Sequence, residues 1–472
     1  MKQLPRASAL LSLLLCFGFT AGAQGVPGKT VERVAAHDSG QSYAIFLPSS
    51  YAPSRRWPLL LLLDPRGRAL VPLSLFRDAA ERYGYIVLSS YNTASDVADD
   101  PNTPAVNAML DDAQRVLQID TNRIYLAGFS GTSRMSWLFG YALRGRVAGV
   151  IGASGGPPPP AGFTADTLRH MPFAFFGTAG TDDFNHDEMR ALDRTLDSLA
   201  VAHQLTVFAG GHQWMPKAIA ADALRWMELQ AMRTGLRARD SVLIDAAFTD
   251  RARAADALEK SGDATNALRA WRSIAHDFAS LHDVRLVALS ADSLRALPPV
   301  LRTLALERLL ETSDAAYMQR VMKGLLTLRA STRPASAGEA LERELALDSL
   351  RRVASSGDSL SRAAARRSLE LVFVHTSFYE PRAYLEQQNG EHALAALRVA
   401  EKAEPGRPGV CLQRARAQAL LSSEKSVLQA LTCARDAHIL SADVLQEHVF
   451  DRFRNSEAFR ALMDSSSAPS RP

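Results

Sequence analysis

The chain predicts two architectures in series: an α/β fold, a mostly parallel sheet with helices on both faces, and then an all-α region of helical repeats. Three observations carry this reading. Up to about residue 236, short apolar, β-rich runs alternate with helical stretches, as in a parallel sheet buried on both faces. From residue 239 onward the sequence turns rich in Ala, Leu, Arg and Glu, with the spacing of successive amphipathic helices. A length of 472 residues also exceeds what one hydrophobic core serves. The expected division is a leader at 1–23, an α/β domain at 24–238 and a helical domain at 239–472.

The leader is read first. Lys2 and Arg6 precede a largely apolar stretch from Ala9 to Phe19, followed by the small residues Ala21, Gly22 and Ala23. This is the layout of a secretory signal peptide, too short to anchor in a membrane. It predicts an exported protein, periplasmic or secreted. Leu13, Leu14 and Leu15 precede Cys16 where lipoprotein processing would need a small residue. No other apolar run has the length of a membrane span.

Strands are expected at 43–47, 59–63, 85–89, 124–127, 148–152, 173–176 and 205–209, and helices at 73–83 and 106–117. Four consecutive prolines, 157–160, form a stiff extended connector. The span from Gly156 to the next strand leaves no room for a large helical lid, so an open site is expected.

The stretch Gly128-Phe129-Ser130-Gly131-Thr132 joins the 124–127 strand to a helix-like run. A buried strand, a sharp turn of small residues around one serine and a helix make a nucleophile elbow. Such a turn holds the serine in strained backbone and leaves the Gly131 N–H facing a developing oxyanion. After the next strand but one come Asp182 and Asp183, and after the last strand comes Gly210-Gly211-His212. The order Ser, Asp, His is that of α/β-hydrolases. A serine hydroxyl needs a base to take its proton, and the base needs an anion to fix its tautomer. His212 is preferred over His37, His170, His186 and His203 because it alone follows a strand's carboxyl end on a glycine-hinged loop. Asp182 and Asp183 both remain candidates. Asp183 is preferred because Phe184 beside it can anchor the loop in the core.

These pieces, with Tyr43-Ala-Ile-Phe-Leu-Pro48, Trp57-Pro-Leu-Leu-Leu-Leu-Leu-Asp64 and Gly211-His-Gln-Trp214, resemble the poly(3-hydroxybutyrate) depolymerase and feruloyl-esterase-like branch of the α/β-hydrolases over residues 42–226. The resemblance implies serine-dependent ester hydrolysis with Ser130 as nucleophile, His212 as base and Asp182 or Asp183 as acid. Two positions depart from the pattern. Thr132 stands where a glycine is usual, and Asp64-Pro65-Arg66-Gly67 stands where relatives carry a His-Gly pair. Since Pro65 has no N–H, the second oxyanion donor is expected from Arg66 or Gly67, Arg66 being preferred by position, with Gly131 as the first.

Two segments of the C-terminal half resemble tetratricopeptide units: Gly262 with Ala267 and Trp271, and Ala393, Leu397 and Ala400 with Pro405. Residues 282–360 are irregular by that measure. Such repeats can present a concave surface to a protein, peptide or polymer, or merely pack on the first domain and stabilise it. Both readings stand. A chain ending near Leu236 keeps all three candidate residues and is expected to act on a small ester. Past the leader only Cys411 and Cys433 remain. On antiparallel helices at 407–421 and 424–438 they lie level, which suits either a disulfide or two buried thiols.

Net charge is +4, two of whose positive residues lie in the leader. No basic block tracks a phosphate backbone, so nucleic-acid binding is disfavoured. No HExxH, cysteine-pair or phosphate-loop pattern implies a metal or cofactor. The sequence therefore predicts an exported serine hydrolase of carboxylic or polymeric esters. The alternatives are a serine peptidase of the same fold and a helical-repeat interaction protein with an inactive hydrolase domain.

Overall fold

The structure, a computed structural model, describes residues 25–37, 40–158 and 163–466. The expected leader at 1–23 and the prolines at 159 and 160 lie outside these residues. The first half contains β1 (Thr30–Ala35), β2 (Ser42–Phe46), β3 (Trp57–Leu63), α1 (Leu70–Tyr83), β4 (Ile86–Ser90), α2 (Asn102–Val116), β5 (Ile119–Phe129) and α3 (Gly131–Ala142). It continues with β6 (Val147–Ala153), α4 (Ala165–Arg169), β7 (Ala174–Gly180), α5 (His186–Ser198), β8 (His203–Phe208) and α6 (Lys217–Arg233).

The eight strands form one sheet in the order β1-β2-β4-β3-β5-β6-β7-β8. β2 runs antiparallel to both β1 and β4, and every pairing from β4 to β8 is parallel. This is the α/β-hydrolase fold. All seven residues of β3 are buried, because alternate side chains enter the two helical layers. Leu59, Leu61 and Leu63 pack with Val106 and Met109 of α2, Trp137 of α3 and Met189 of α5. Leu60 and Leu62 face the other way, towards Phe76 of α1 and Trp226 of α6. Each fully buried leucine contributes roughly 2 kcal/mol. The seven expected strands are all present, within a few residues. β1 is additional: it lies at the sheet's edge with Glu32 and Arg33 exposed, so no apolar run marks it.

From Ser241 on, the regular elements are helical: α7 (Ser241–Lys260), α8 (Ala264–Asp277), α9 (Arg285–Arg295), α10 (Pro298–Ala330), α11 (Pro334–Glu344), α12 (Leu347–Ser356) and α13 (Ser359–Val374). After a π-helical turn at His375–Tyr379 come α14 (Glu380–Glu386), α15 (Gly390–Ala403), α16 (Gly409–Leu420), α17 (Glu424–Asp436), α18 (Ala442–Leu445) and α19 (Glu457–Ser466). The π turn precedes Pro381, which cannot donate to the carbonyl four residues back. Helix α10, 33 residues long, interrupts any short repeat in the irregular stretch. Cys411 on α16 and Cys433 on α17 are joined as a disulfide, their Cα atoms 5.8 Å apart.

Candidate active site

Ser130 stands between β5 and α3 with φ 53° and ψ −121°, a strained conformation for a residue with a side chain. The chain is cut to fit it. A Cβ on Gly128 would lie 2.3 Å from the Thr132 carbonyl oxygen, and one on Gly131 would lie 2.3 Å from Ser95 Cβ. Thr132, in place of the usual glycine, is fully buried. Its hydroxyl donates to the Leu63 carbonyl at 2.6 Å and accepts from the Phe129 N–H at 3.1 Å. The threonine thus ties the elbow to the end of β3. Gly131 opens α3, where first-turn N–H groups have no intrahelical partner and the helix dipole is positive.

The acid arrives on the loop after β7. Thr181 N–H donates to the Phe208 carbonyl at 2.8 Å and Asp182 N–H to the Gly210 carbonyl at 2.9 Å. The acid loop and the histidine loop are therefore stitched together by backbone. Asp183 is completely buried. Its Oδ1 lies 2.9 Å from His212 Nδ1 and accepts from the Asn185 N–H at 2.9 Å. His212 Nε2 lies 2.9 Å from Ser130 Oγ. Burial pushes the Asp183 carboxyl up, but the hydrogen bond and charge of His212, then Ser154 and the Asn185 N–H, hold it below its usual value. The His212 ring is flanked by Phe129 and Phe184, with centroids 4.7 and 4.3 Å away.

The structure thus brings Ser130, His212 and Asp183 into one hydrogen-bonded line and leaves Asp182 outside it. The Asp182 carboxylate turns outward to Arg366 Nη1 at 3.2 Å. The other histidines have separate surroundings. His186 contacts Asp187, His170 lies beside Asp166, the His37 N–H meets Asp112, and buried His203 contacts Val201 and Asp193.

Arg66 does not take the expected role of second oxyanion donor. Its N–H already donates to Asp64 Oδ1 at 2.9 Å, and the Gly67 N–H donates to the Asp64 carbonyl at 3.1 Å. The buried Asp64 also accepts from the Arg68 guanidinium and, through Oδ2, from Trp214 Nε1 at 2.9 Å. Burial opposes its ionisation, yet Arg68 and Trp214 keep its pKa low. The aspartate that replaces the His-Gly pair folds its own turn and anchors the Gly-His-x-Trp loop. That consumes the N–H groups reasoned to be free.

Helices far along the chain also reach the rim of the site, a contact that the expectation of an open site did not include. Phe184 packs against the core formed by α10, α11, α13 and α15. Arg367 Nη1 donates to the Thr181 carbonyl at 3.3 Å. On the other side, Arg382 of α14 donates to the Asp96 carbonyl at 2.6 Å, in the loop whose Ser95 covers Gly131. Tyr379, in the π turn, lies beside Asp96 and Arg134. Burial, then Asp96, raises its phenol pKa, while Arg134 opposes. Tyr379, Arg366, Arg367 and Arg382 carry no motif, and sequence reasoning missed them.

Solved structures similar to this chain include a ferulic acid esterase at 17% identity and TM-score 0.36, the match covering 42% of this chain and 97% of that one. A second is FphF, a fluorophosphonate-binding serine hydrolase of Staphylococcus aureus, at 13% identity and TM-score 0.36, covering 43% and 99%. A third is an S954A mutant of the feruloyl esterase module from Clostridium thermocellum, at 15% identity and TM-score 0.35, covering 43% and 89%. No protein-family model matches the chain, and no curated protein does.

Proposed function

We propose that the protein is an exported serine hydrolase that cleaves carboxylic esters. The observation that carries this reading is the Ser130–His212–Asp183 line, with both contacts at 2.9 Å, built from three loops at one end of the sheet. Ser130 Oγ attacks the acyl carbonyl while His212 Nε2 takes its proton. Asp183, ionised and buried, fixes the Nδ1–H tautomer and stabilises the imidazolium. The Gly131 N–H faces the developing oxyanion. His212 then protonates the leaving alcohol; water, deprotonated by the same nitrogen, attacks the acyl carbon, and His212 returns that proton to Ser130 Oγ as the acid is released. Export is supported by the leader-like first residues and by the Cys411–Cys433 bridge, a bond suited to oxidising compartments.

Labelling by a fluorophosphonate probe, together with turnover of p-nitrophenyl acyl esters and aminoacyl anilides, tests the reading. Labelling at Ser130 with ester turnover supports it. Turnover of anilides alone moves the assignment to a peptidase. Absence of both labelling and turnover in folded protein leaves the helical region as the functional part.

A further inference from the structure

β8 is the last strand of the sheet among the described residues. The Phe175 N–H donates to the Ala202 carbonyl and the Thr181 N–H to the Phe208 carbonyl. Along a strand, successive residues direct their N–H and C=O groups to opposite sides. Ala202, Gln204, Thr206 and Phe208 therefore face β7, while Leu205 and Val207 turn their backbone groups to the free edge. Free strand edges are usually covered or blunted by charge, because they template pairing with another chain. Among the described residues, no strand pairs with this edge. It borders a cavity of about 600 Å³, with residues 204–209 along one wall and α7, α8, α10 and α13 along the other. Val207 remains 37% exposed.

The cavity's charges are matched except at one place. Arg251 pairs with Asp277, Arg269 with Glu307, Arg194 with Glu311, and Arg367 with Asp187 and Asp314. Arg190, on α5, makes one ion pair, with Asp193 at 3.5 Å, a carboxylate also beside His203; Glu307 and Glu311 act on it only at longer range, while burial and the charge of Arg269 work against it. Its side chain is 15% exposed. A mostly buried guanidinium with a weak, shared partner calls for an anion.

We infer that this cavity binds an extended peptide carrying a carboxylate. The peptide pairs its main chain with Leu205 and Val207 and sets the carboxylate against Arg190. Such strand addition takes affinity from backbone hydrogen bonds and specificity from the side-chain contacts alongside. The carboxylate is either a peptide C-terminus or an Asp or Glu side chain. The cavity does not include Ser130, Asp183 or His212, although Thr181 and Arg367 of its lining adjoin the acid loop, and the proposal does not depend on ester hydrolysis.

The test uses full-length Ser130→Ala protein, so that no peptide is consumed. Two random libraries of about eight residues, long enough to span β8, are captured and sequenced: one with free C-termini, one amidated. Enrichment from the free library alone assigns a terminal carboxylate, and acidic residues enriched from both assign a side chain. A fluorescently labelled winner should bind at least about tenfold more weakly to Arg190→Gln. Val207→Pro removes an N–H that β7 does not use and should weaken binding similarly, whereas Val207→Ala should not. Both variants, made in the Ser130 background, should label with fluorophosphonate as wild type does if Ser130 is reactive, and thermal unfolding checks their folding in any case. Bound peptide should slow hydrogen exchange at Leu205 and Val207. Failure of both libraries to enrich any peptide, or binding indifferent to Arg190→Gln and Val207→Pro, overturns the proposal.

Discussion

Arg382 Nη1 donates to the backbone carbonyl of Asp96, a residue 286 positions earlier in the chain, at 2.6 Å. Asp96 has φ 58°, a conformation that costs a non-glycine residue about 1 kcal/mol or more. Its neighbour Ser95 donates to the Asp96 carboxylate and occupies the space a side chain at 131 would need. A strained loop over the elbow is thus held from outside by the helical region, while Arg366, Arg367 and the Phe184 contact hold the acid loop opposite.

That arrangement changes what truncation near Leu236 should do. A shortened chain keeps the three residues but exposes Phe184 and releases the loop at 94–96. We expect its kcat/KM on a small aryl ester to fall about tenfold or more, in line with loss of positioning. Arg382→Ala in the full chain should reproduce part of the loss. Circular dichroism and thermal unfolding establish that each variant is folded. Unchanged turnover in a folded truncation would show that the helices do not shape the site.

Asp183 and Asp182 separate cleanly by partner. Asp183→Asn leaves the shape but offers His212 the wrong hydrogen-bonding face, so kcat should drop on the order of 10⁴-fold. Asp182→Asn loses an ion pair to Arg366, an arginine 45% exposed, and should cost activity less than about tenfold. Ser130→Ala should abolish labelling and lower kcat by at least about 10³-fold. Steady-state kinetics on one ester ranks all three. Equal losses for the two aspartate variants would contradict the assignment.

Thr132 tests why this chain departs from the usual elbow. Thr132→Val keeps the volume but strands the Leu63 carbonyl and the Phe129 N–H, both bonded to the hydroxyl. An unmet buried polar group costs about 1–3 kcal/mol, so Tm should fall by several degrees. Ester turnover should fall as well, because the strained serine loses a support. A variant as stable as wild type would mean that relaxed backbone or water replaces the hydroxyl.

The sheet is legible because its central strands are buried on both faces and read as plain apolar runs, as in Leu59 to Leu63. β1 is hidden because an edge strand with exposed Glu32 and Arg33 has no such run. The positions of Ser130 and His212 follow from strand ends and small residues. The choice of Asp183 follows from Phe184, although the packing partner of that ring is the helical core and not the sheet. Arg66 departs from expectation because a donor count cannot show that the Asp64 carboxylate takes its N–H. Contacts such as Arg382 with Asp96 have no periodicity and no local spacing, so nothing in one sequence announces them.

The last prediction concerns pH at the junction between α5 and the helical region. Asp187 and Asp314 meet there beside Arg367. Burial, then the hydrogen bond and charge of Asp187, raise Asp314 to about 7. Burial works against Asp187 too, but His186 and Arg367 keep it at about 2. The pair therefore carries one shared proton up to near neutrality, whereas an unfolded aspartate releases its proton near 4. Between about pH 4 and 7 the folded state binds more protons than the unfolded, so stability falls as pH rises through that window and levels off above it. His203, whose pKa is raised by Asp193 and the Val201 carbonyl against burial, adds loss in the same direction as pH rises through its folded value. Comparing wild type with Asp314→Asn isolates the pair, because the amide cannot ionise. Thermal unfolding at pH 5, 6, 7 and 8 should show a steeper decline for wild type than for Asp314→Asn, with the gap widest above 7. Parallel curves would mean that Asp314 is not protonated in the folded protein and that Arg367 neutralises both carboxylates.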